Sequence, residues 1–184
     1  MKPARLIHAM TDLCLGLIVG AAVGASVAAS VIFGVSREQG FEKHIANTLA
    51  GSMFDRLGWP MLVAAVVATV GCLYAAKKPP ATGFMTARTR ALWKLMGGAG
   101  LVMLLCGALT QFYFAPRMAD LRANSTWVNG ELADPAEKAE FGRSHGFSMG
   151  VSGLAALIAA GLIVGRRVFT GDPGDERKMK SGLK

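Results

Sequence analysis

The sequence predicts an all-α membrane protein, a four-transmembrane-helix up-down bundle with an amphipathic helix on its outer side. Apolar residues make up 52% of the 184 residues and charged residues only 17%, against roughly 25% charged in an average soluble domain. The apolar residues occur in four blocks, each close to or above the ~18–20 residues that cross a ~30 Å hydrocarbon core. Most of the charged residues lie between these blocks.

The four blocks define one membrane domain over residues 1–170. Its spans are predicted at about 13–35, 59–76, 91–114 and 147–168. The last residues, 171–184, are rich in glycine, proline and charge, so they are predicted to form a disordered basic cytoplasmic tail.

Glycines at four-residue spacing mark the first span: Gly16, Gly20 and Gly24. This spacing places them on one helix face, where the missing side chains let another helix approach closely. They are predicted to be helix-packing residues. Their partner is either another helix of this chain or a helix of another copy.

Between the first two spans the sequence predicts the amphipathic helix. Ser36 and Gln39 have the spacing of a capping box that opens a helix. An apolar residue then recurs every four positions, at Phe41, Ile45, Leu49 and Met53, which is typical of a helix at the membrane interface. Pro60 suits the first turn of the next helix, so a break is expected before it.

The long polar interval from Phe114 to Ser152 is predicted to cap the bundle. Pro116 starts a short helix that carries Arg117, Asp120 and Arg122. Asn129-Gly130 is a turn signal. Asp134 and Pro135 have the pattern of an N-cap followed by proline at the first helical position. The helix from Pro135 either continues into the fourth span or breaks at Gly142 or Gly146.

The start of the fourth span carries the polar residues with the best case for chemistry. His145, Ser148 and Ser152 fall on one helix face. With Arg117, Asp120 and Arg122 they form a predicted outer-side polar cluster. His44 is expected on the same side, so a metal or haem site using His145 and His44 is an alternative. Two histidines are fewer than the four ligands of a closed structural zinc site.

Lysine and arginine counts predict the orientation. The N-terminus has 2, the connector counted from Lys77 to Lys94 has 5, and the C-terminal segment has 6, whereas the two loops on the other side hold 7 mixed with most acidic residues. By the positive-inside rule both termini face the cytoplasm. The predicted location is the cell inner (cytoplasmic) membrane.

Composition also excludes several function classes. The net charge of +8 comes from residues that flank apolar spans, so no nucleic-acid partner is expected. Cys14, Cys72 and Cys106 lie inside apolar runs without CxxC spacing and are predicted to be small buried residues. No catalytic triad, phosphate-binding glycine loop or paired intramembrane carboxylates can be recognised. No enzyme activity and no cofactor are predicted.

Several short segments resemble a known family. They are Val31-Ile32-Phe33, the run from Ala50 to Trp59, the run from Ala115-Pro116-Arg117 to Leu121-Arg122, and Glu140-Phe141-Gly142-Arg143-Ser144-His145 with Ser148. On these segments the chain resembles the family called domain of unknown function 4149 and is similar to transmembrane protein 205. Ser144 departs from the aliphatic residue usual in the family. The resemblance implies a four-span membrane protein without an established reaction.

Three functions are compatible with these patterns. The first is a non-enzymatic packing, assembly or accessory subunit, whose partners are the lipid bilayer and itself or other membrane subunits. The second is a metal- or haem-handling membrane protein using His145 with His44, with haem or a divalent metal as cofactor. The third is a small-solute transporter, which requires a polar path past His145 into the bundle.

Overall fold

Four long helices form the protein, and a short hairpin caps one end of them. The computed structural model describes residues 3–78, 87–128 and 130–170. Its elements in chain order are α1 (Pro3–Glu38), α2 (Lys43–Lys77), α3 (Ala87–Leu109), a π-helical segment (Thr110–Phe114), α4 (Ala115–Asn124), β1 (Trp127–Val128), β2 (Glu131–Leu132) and α5 (Pro135–Thr170).

The helices pack as a ring in the order α1, α2, α3, α5. Each contacts its two neighbours in this ring, so α2 lies diagonally opposite α5. Residues from the start of α1 contact the end of α2 and the end of α5, so successive helices run in opposite directions. The predicted all-α, four-helix bundle is therefore confirmed. Four helices are long and apolar enough to cross a membrane.

The two ends of the bundle differ. We call the end that holds the start of α1 and the end of α5 the termini end. We call the opposite end, where α4 and the two strands lie, the hairpin end. Between them the buried centre is apolar and consists mainly of small and medium side chains, including Leu15, Ile18, Ala68, Met103 and Ala159. All three cysteines are buried, as predicted.

The predicted capping box at Ser36 and Gln39 is wrong, because these residues end α1 and do not begin α2. Gly40 has a φ of +68°. The Phe41 N–H donates to the Ser36 carbonyl over 2.8 Å, and the Gly40 N–H donates to the Arg37 carbonyl over 3.2 Å. This pair of bonds is a Schellman motif, which ends a helix at a left-handed glycine.

The predicted break before the second span is also absent. Helix α2 runs continuously through Pro60, so the amphipathic segment is the first half of a single long helix. Proline within a membrane helix is tolerated where neighbouring groups satisfy the freed backbone. The apolar series Phe41, Ile45 and Leu49 is exposed, whereas Ala46 and Ala50 face the bundle. Gly51, next to Ala50, is buried against the Arg122 side chain of α4.

The third span likewise continues beyond its predicted end. It passes through the π-helical turn at Thr110–Phe114 into α4, which carries a proline in its first turn. Within the π turn, the Ala115 N–H donates to the Thr110 carbonyl. Pro116 has no N–H to donate to the preceding turn. This accounts for the change from α-helical to π-helical backbone hydrogen bonding just before it.

The predicted N-cap of the last helix is confirmed. An Asp134 carboxylate oxygen accepts a bond of 2.8 Å from the Ala136 N–H, and α5 begins at Pro135. It is continuous through Gly142 and Gly146, which settles the alternative left open by the sequence. Of the turn predicted at Asn129-Gly130, Gly130 lies between β1 and β2 with a φ of +75°, and Asn129 lies outside the described residues. The predicted tail, 171–184, lies outside the described residues.

Close packing between α1 and α2 depends on one glycine. A Cβ added at Gly71 would overlap the Thr11 hydroxyl and would lie 2.9 Å from Thr11 Cβ and 3.1 Å from its methyl. Thr11 is held in place because its hydroxyl donates to the Ile7 carbonyl over 2.7 Å. Rotating the Thr11 side chain would relieve the overlap at its hydroxyl only by bringing another Thr11 atom against the added Cβ.

We therefore expect Gly71→Ala to destabilise the bundle by about 1–3 kcal/mol, as overpacking does elsewhere. Gly98→Ala is the matched control, because nothing lies within 4 Å of a Cβ at Gly98. It should be neutral or stabilise by up to ~1 kcal/mol through helix propensity. Thermal unfolding in a mild detergent, followed by circular dichroism, compares the two. Equal stabilities would contradict the proposed contact.

Candidate functional site

An ion pair at the hairpin end fastens α4 to α2. Arg122 Nη2 lies 3.1 Å from Asp55 Oδ2, and the Arg122 side chain is only 13% exposed. Gly51 provides the space for it, because a Cβ there would overlap the Arg122 guanidinium. The Trp127 indole N–H donates to the Arg122 carbonyl over 3.3 Å. Arg122 is thus enclosed by α2 and the hairpin.

A second polar side chain is enclosed closer to the middle of the bundle. Gln111, in the π-helical segment, is buried. Its amide oxygen lies against Gly58 of α2, where any Cβ would overlap it. π-helical turns are rare and often lie at functional sites. Here the turn directs an amide into the ring of helices.

The predicted outer-side polar cluster separates into several contacts. Arg117 pairs with Glu140 of α5 at 2.6 Å, and both side chains are almost half exposed. Asp120 accepts a bond of 2.6 Å from Asn124 within α4. Arg122 turns to Asp55, as described above. The three residues predicted as one cluster therefore contact three different partners.

The face of α5 that enters the bundle is also shifted from the prediction. Ser144 and Ser148 are buried, and the Ser152 hydroxyl lies 3.3 Å from that of Thr110. His145 lies at the edge of this face, is exposed, and stacks on Phe141 with a centroid distance of 6.3 Å. Ser144 faces inward in its place. Below these hydroxyls the core is mostly apolar, and the hydroxyl of the buried Thr69 donates there to the Gly100 carbonyl over 2.8 Å. The polar path that a transporter requires stays a prediction.

The two histidines of the proposed metal or haem site have separate surroundings. His44 Nδ1 lies 2.9 Å from Glu42 Oε2, and its ring is 6.2 Å from that of Trp127. His145 extends from α5, diagonally opposite α2 in the ring. Over the described ranges, 3–78, 87–128 and 130–170, no three His, Cys, Asp or Glu residues are placed to hold a metal ion.

Glu131 of β2 fixes the hairpin to two helices. It contacts Lys43 at the start of α2 at 3.3 Å and Lys138 in the first turns of α5 at 2.5 Å. The hydrogen bonds from Lys138 and Lys43 hold the pKa of the Glu131 carboxyl below its ordinary value. The hairpin therefore bridges the starts of α2 and α5 across the diagonal of the ring.

The termini end contains a buried charge cluster that the sequence reasoning missed. Arg166 of α5 is 3% exposed, and its Nε donates to Asp12 Oδ1 of α1 over 2.8 Å. Its Nη2 lies 3.2 Å from His8 Nδ1 and donates to the His8 carbonyl over 3.3 Å. Placing the first span at 13–35 left Asp12 just outside it. An acid and a base at matching ends of the first and last helices were the signal that could have revealed the pair.

The ion pairs at the hairpin end involve the sequence segments that resemble a known family. Asp55 lies in the segment Ala50 to Trp59, and Arg117 and Arg122 lie in the segment after Ala115, so the two ion pairs connect the segments that carry the resemblance. A family model, domain of unknown function (DUF4149), matches residues 13–126, more than half of the chain.

This chain belongs to the DUF4149 family. Searches of curated proteins and of solved structures found no match. The family match includes the Asp55–Arg122 pair and the two glycines, Gly51 and Gly58, against which Arg122 and Gln111 pack. It ends before Glu140 and Arg166. The hairpin-end contacts of α2 with α4 are thus the part of the site that falls within the shared domain.

The glycines of the first helix of this DUF4149 protein face away from its own bundle. Gly16, Gly20 and Gly24 are exposed, and no described atom lies within 4 Å of a Cβ at any of them. A second row, Gly142, Gly146 and Gly150 of α5, is also exposed and open. The sequence analysis treated Gly142 and Gly146 only as possible helix breaks and did not consider Gly150.

The two kinds of ion pair should differ in their contribution to stability. We expect Asp12→Asn to destabilise the bundle by about 2–3 kcal/mol, because it leaves the buried Arg166 charge short of its carboxylate. This is below the usual loss for a broken buried pair, since Asp12 is 35% exposed. Glu140→Gln, at the exposed Arg117 pair, should cost less than ~1 kcal/mol. Reversible unfolding in detergent measures both, and a loss for Glu140→Gln equal to that for Asp12→Asn would contradict the assignment.

Glu131 should make stability depend on pH. Its folded-state pKa is lowered, so its contribution is present above the unfolded-state value and is lost as pH falls through the folded-state value. The melting temperature of the wild type should exceed that of Glu131→Gln at pH 7. The difference should shrink towards zero as the pH falls below the ordinary carboxyl range. A difference that does not change with pH would rule out this contribution.

Proposed function

We propose that this protein is a non-enzymatic membrane subunit that works by packing its outer glycine rows against another membrane helix. The partner is a second copy of this chain or another membrane subunit. The observation that carries the proposal is the open, outward position of Gly16, Gly20 and Gly24 on α1.

Membrane physics supports this use of the glycine row. Apolar side chains gain little by association in lipid, since lipid tails are equally apolar, so membrane helices associate through close packing of small residues. The apolar window of α1 is only 17% buried within the chain, against 39% for α2. The helix with the glycine row is thus also the least covered by its own bundle.

The second row extends the proposed interface. α5 is the neighbour of α1 in the ring, and its apolar window is 22% buried. Gly142, Gly146 and Gly150 lie towards the hairpin end, whereas Gly16 lies nearer the termini end. Two adjacent helices thus offer small-residue faces at different depths, which suits a partner that crosses the bundle obliquely.

Location and orientation form part of the same proposal. We place the protein in the cell inner membrane with both termini in the cytoplasm, on the support of the lysine and arginine distribution. The similarity to transmembrane protein 205 also belongs here. It rests on the short sequence segments from Ala50 to Trp59, after Ala115 and from Glu140 to His145.

Replacing the α1 glycines tests the proposal. Gly20→Leu with Gly24→Leu should reduce assembly measured by crosslinking in native membranes by about tenfold, because bulky side chains hold the partner helix away. Gly98→Leu is the matched control: it is exposed with open space, but lies on α3. Mass analysis of the crosslinked product separates self-association from a different subunit.

The corresponding double variant on α5, Gly146→Leu with Gly150→Leu, tests whether the second glycine row is also part of the interface. Reduced assembly for this variant would place α5 in the interface, and unchanged assembly would confine the interface to α1. If the α1 variant assembles as well as the Gly98→Leu control, the proposed function is wrong.

A further inference from the structure

An apolar groove runs along the outer surface between α1 and α2 at the termini end. Its volume is about 330 Å³. Its walls are apolar side chains of the two helices: Leu6, Ile7, Met10, Val66, Val67 and Val70. The groove faces away from the bundle, so its natural surroundings are the lipid chains of the membrane.

The floor of the groove is formed by the closest approach of the two helices. Thr11 and Gly71 meet there. Gly71 contributes no side chain, and the Thr11 hydroxyl is engaged by the Ile7 carbonyl at 2.7 Å. The floor therefore offers its occupant a smooth, apolar surface. A hydrocarbon chain matches it, and a polar solute does not.

Two lysines lie beyond the groove on the α2 side. Lys77, the last residue of α2, follows Val70 by seven residues and so lies two turns, about 10 Å, further along the same helix face. Lys78 follows it as the C-cap residue. Both are exposed. Asp12, the acidic residue that the described part of the chain places at this end, is engaged with Arg166. The positive charge of the two lysines is thus available to an anion from outside.

We propose that this groove binds one acyl chain of an anionic phospholipid, with the lipid phosphate held by Lys77 and Lys78. The order along α2 fits such a lipid, since the apolar walls lie within the span and the lysines lie at its end. The carbonyls at the C-terminus of α2 carry partial negative charge, so the lysine side chains must provide the attraction. Phosphate and Lys ammonium groups make charge-assisted hydrogen bonds.

Photocrosslinking with two lipid probes tests this inference. The full chain is reconstituted in phosphatidylcholine vesicles that contain a trace of phosphatidylglycerol or of phosphatidylcholine, each with the same diazirine-bearing acyl chain. The phosphatidylglycerol probe should label the groove walls around Met10 and Val70 several-fold more than the phosphatidylcholine probe. Peptide mass spectrometry locates the label.

Matched variants separate the two parts of the site. Lys77→Gln and Lys78→Gln should each lower the labelling by phosphatidylglycerol about fivefold, given roughly 1 kcal/mol for each basic residue near an anionic surface. Arg90→Gln with Lys94→Gln, at the start of α3, should leave it unchanged. Val67→Trp should fill the groove and lower labelling by both probes, whereas Val102→Trp on α3 should lower neither.

Three results would overturn the inference. They are equal labelling of the groove by the two probes, equal effects of the Lys77/Lys78 and Arg90/Lys94 substitutions, and label spread evenly around the bundle. Protein–protein crosslinks in the groove without lipid labelling would assign it to a second copy instead. The glycine rows play no part in this site, so its failure leaves the proposed assembly function untouched.

Discussion

The contact between Asp12 and Arg166 closes the ring of helices where the chain itself cannot. α1 and α2 are joined at the hairpin end, and α4 with the two strands joins α3 to α5 there as well. At the termini end, α1 and α5 are the first and last helices and have no connection between them. Their ends are held together there by Arg166, which reaches both Asp12 and His8. A charge so deeply buried requires such partners.

At the hairpin end, polar side chains likewise hold neighbouring helices together, and more residues take part. The Arg122 side chain packs against Gly51, and the buried Gln111 packs against Gly58. Helix α2 thus accommodates two long polar side chains from the following helices by lacking side chains of its own at these positions. Each glycine here is matched to one polar residue. Helix α2 is continuous through Pro60 and is packed against other helices on both sides of it, by Arg122 at Gly51 and by Thr11 at Gly71.

Much of the fold could be predicted because apolar length and local signals determine it. The four spans follow from hydropathy, and the start of α5 follows from Asp134 and Pro135. Local signals failed where one sequence pattern is compatible with two different local structures. Ser36 and Gln39 match a capping box, but Gly40 determines that the helix ends there. Pro60 is typical of a helix start, yet α2 continues through it. Pro116 does lie in the first turn of α4, as predicted, but α4 follows the third span without a break.

The site was less predictable because its pairs join residues far apart in the chain. Asp55 lies 67 residues from Arg122, and Asp12 lies 154 from Arg166. From their spacing along one helix, Arg117, Asp120 and Arg122 were predicted to form one cluster. In the structure each of these side chains contacts a different partner. The same limit applied to His145, whose helix face could be located only to within one residue. Ser144, the departure from the family pattern, faces inward instead.

The outer surface of α1 combines the two proposed interactions without conflict. The groove walls Leu6, Ile7 and Met10 and the glycines Gly20 and Gly24 lie at different depths along α1. At 1.5 Å per residue, Gly20 and Gly24 lie about 15 and 21 Å beyond Met10 along the helix axis. A partner helix seated on Gly20 and Gly24 therefore leaves the groove with α2 open to lipid. An acyl chain in that groove would in turn cover the part of α1 near the termini end that the bundle leaves bare. Lipid and protein partner would then cover different lengths of the helix that its own chain covers least.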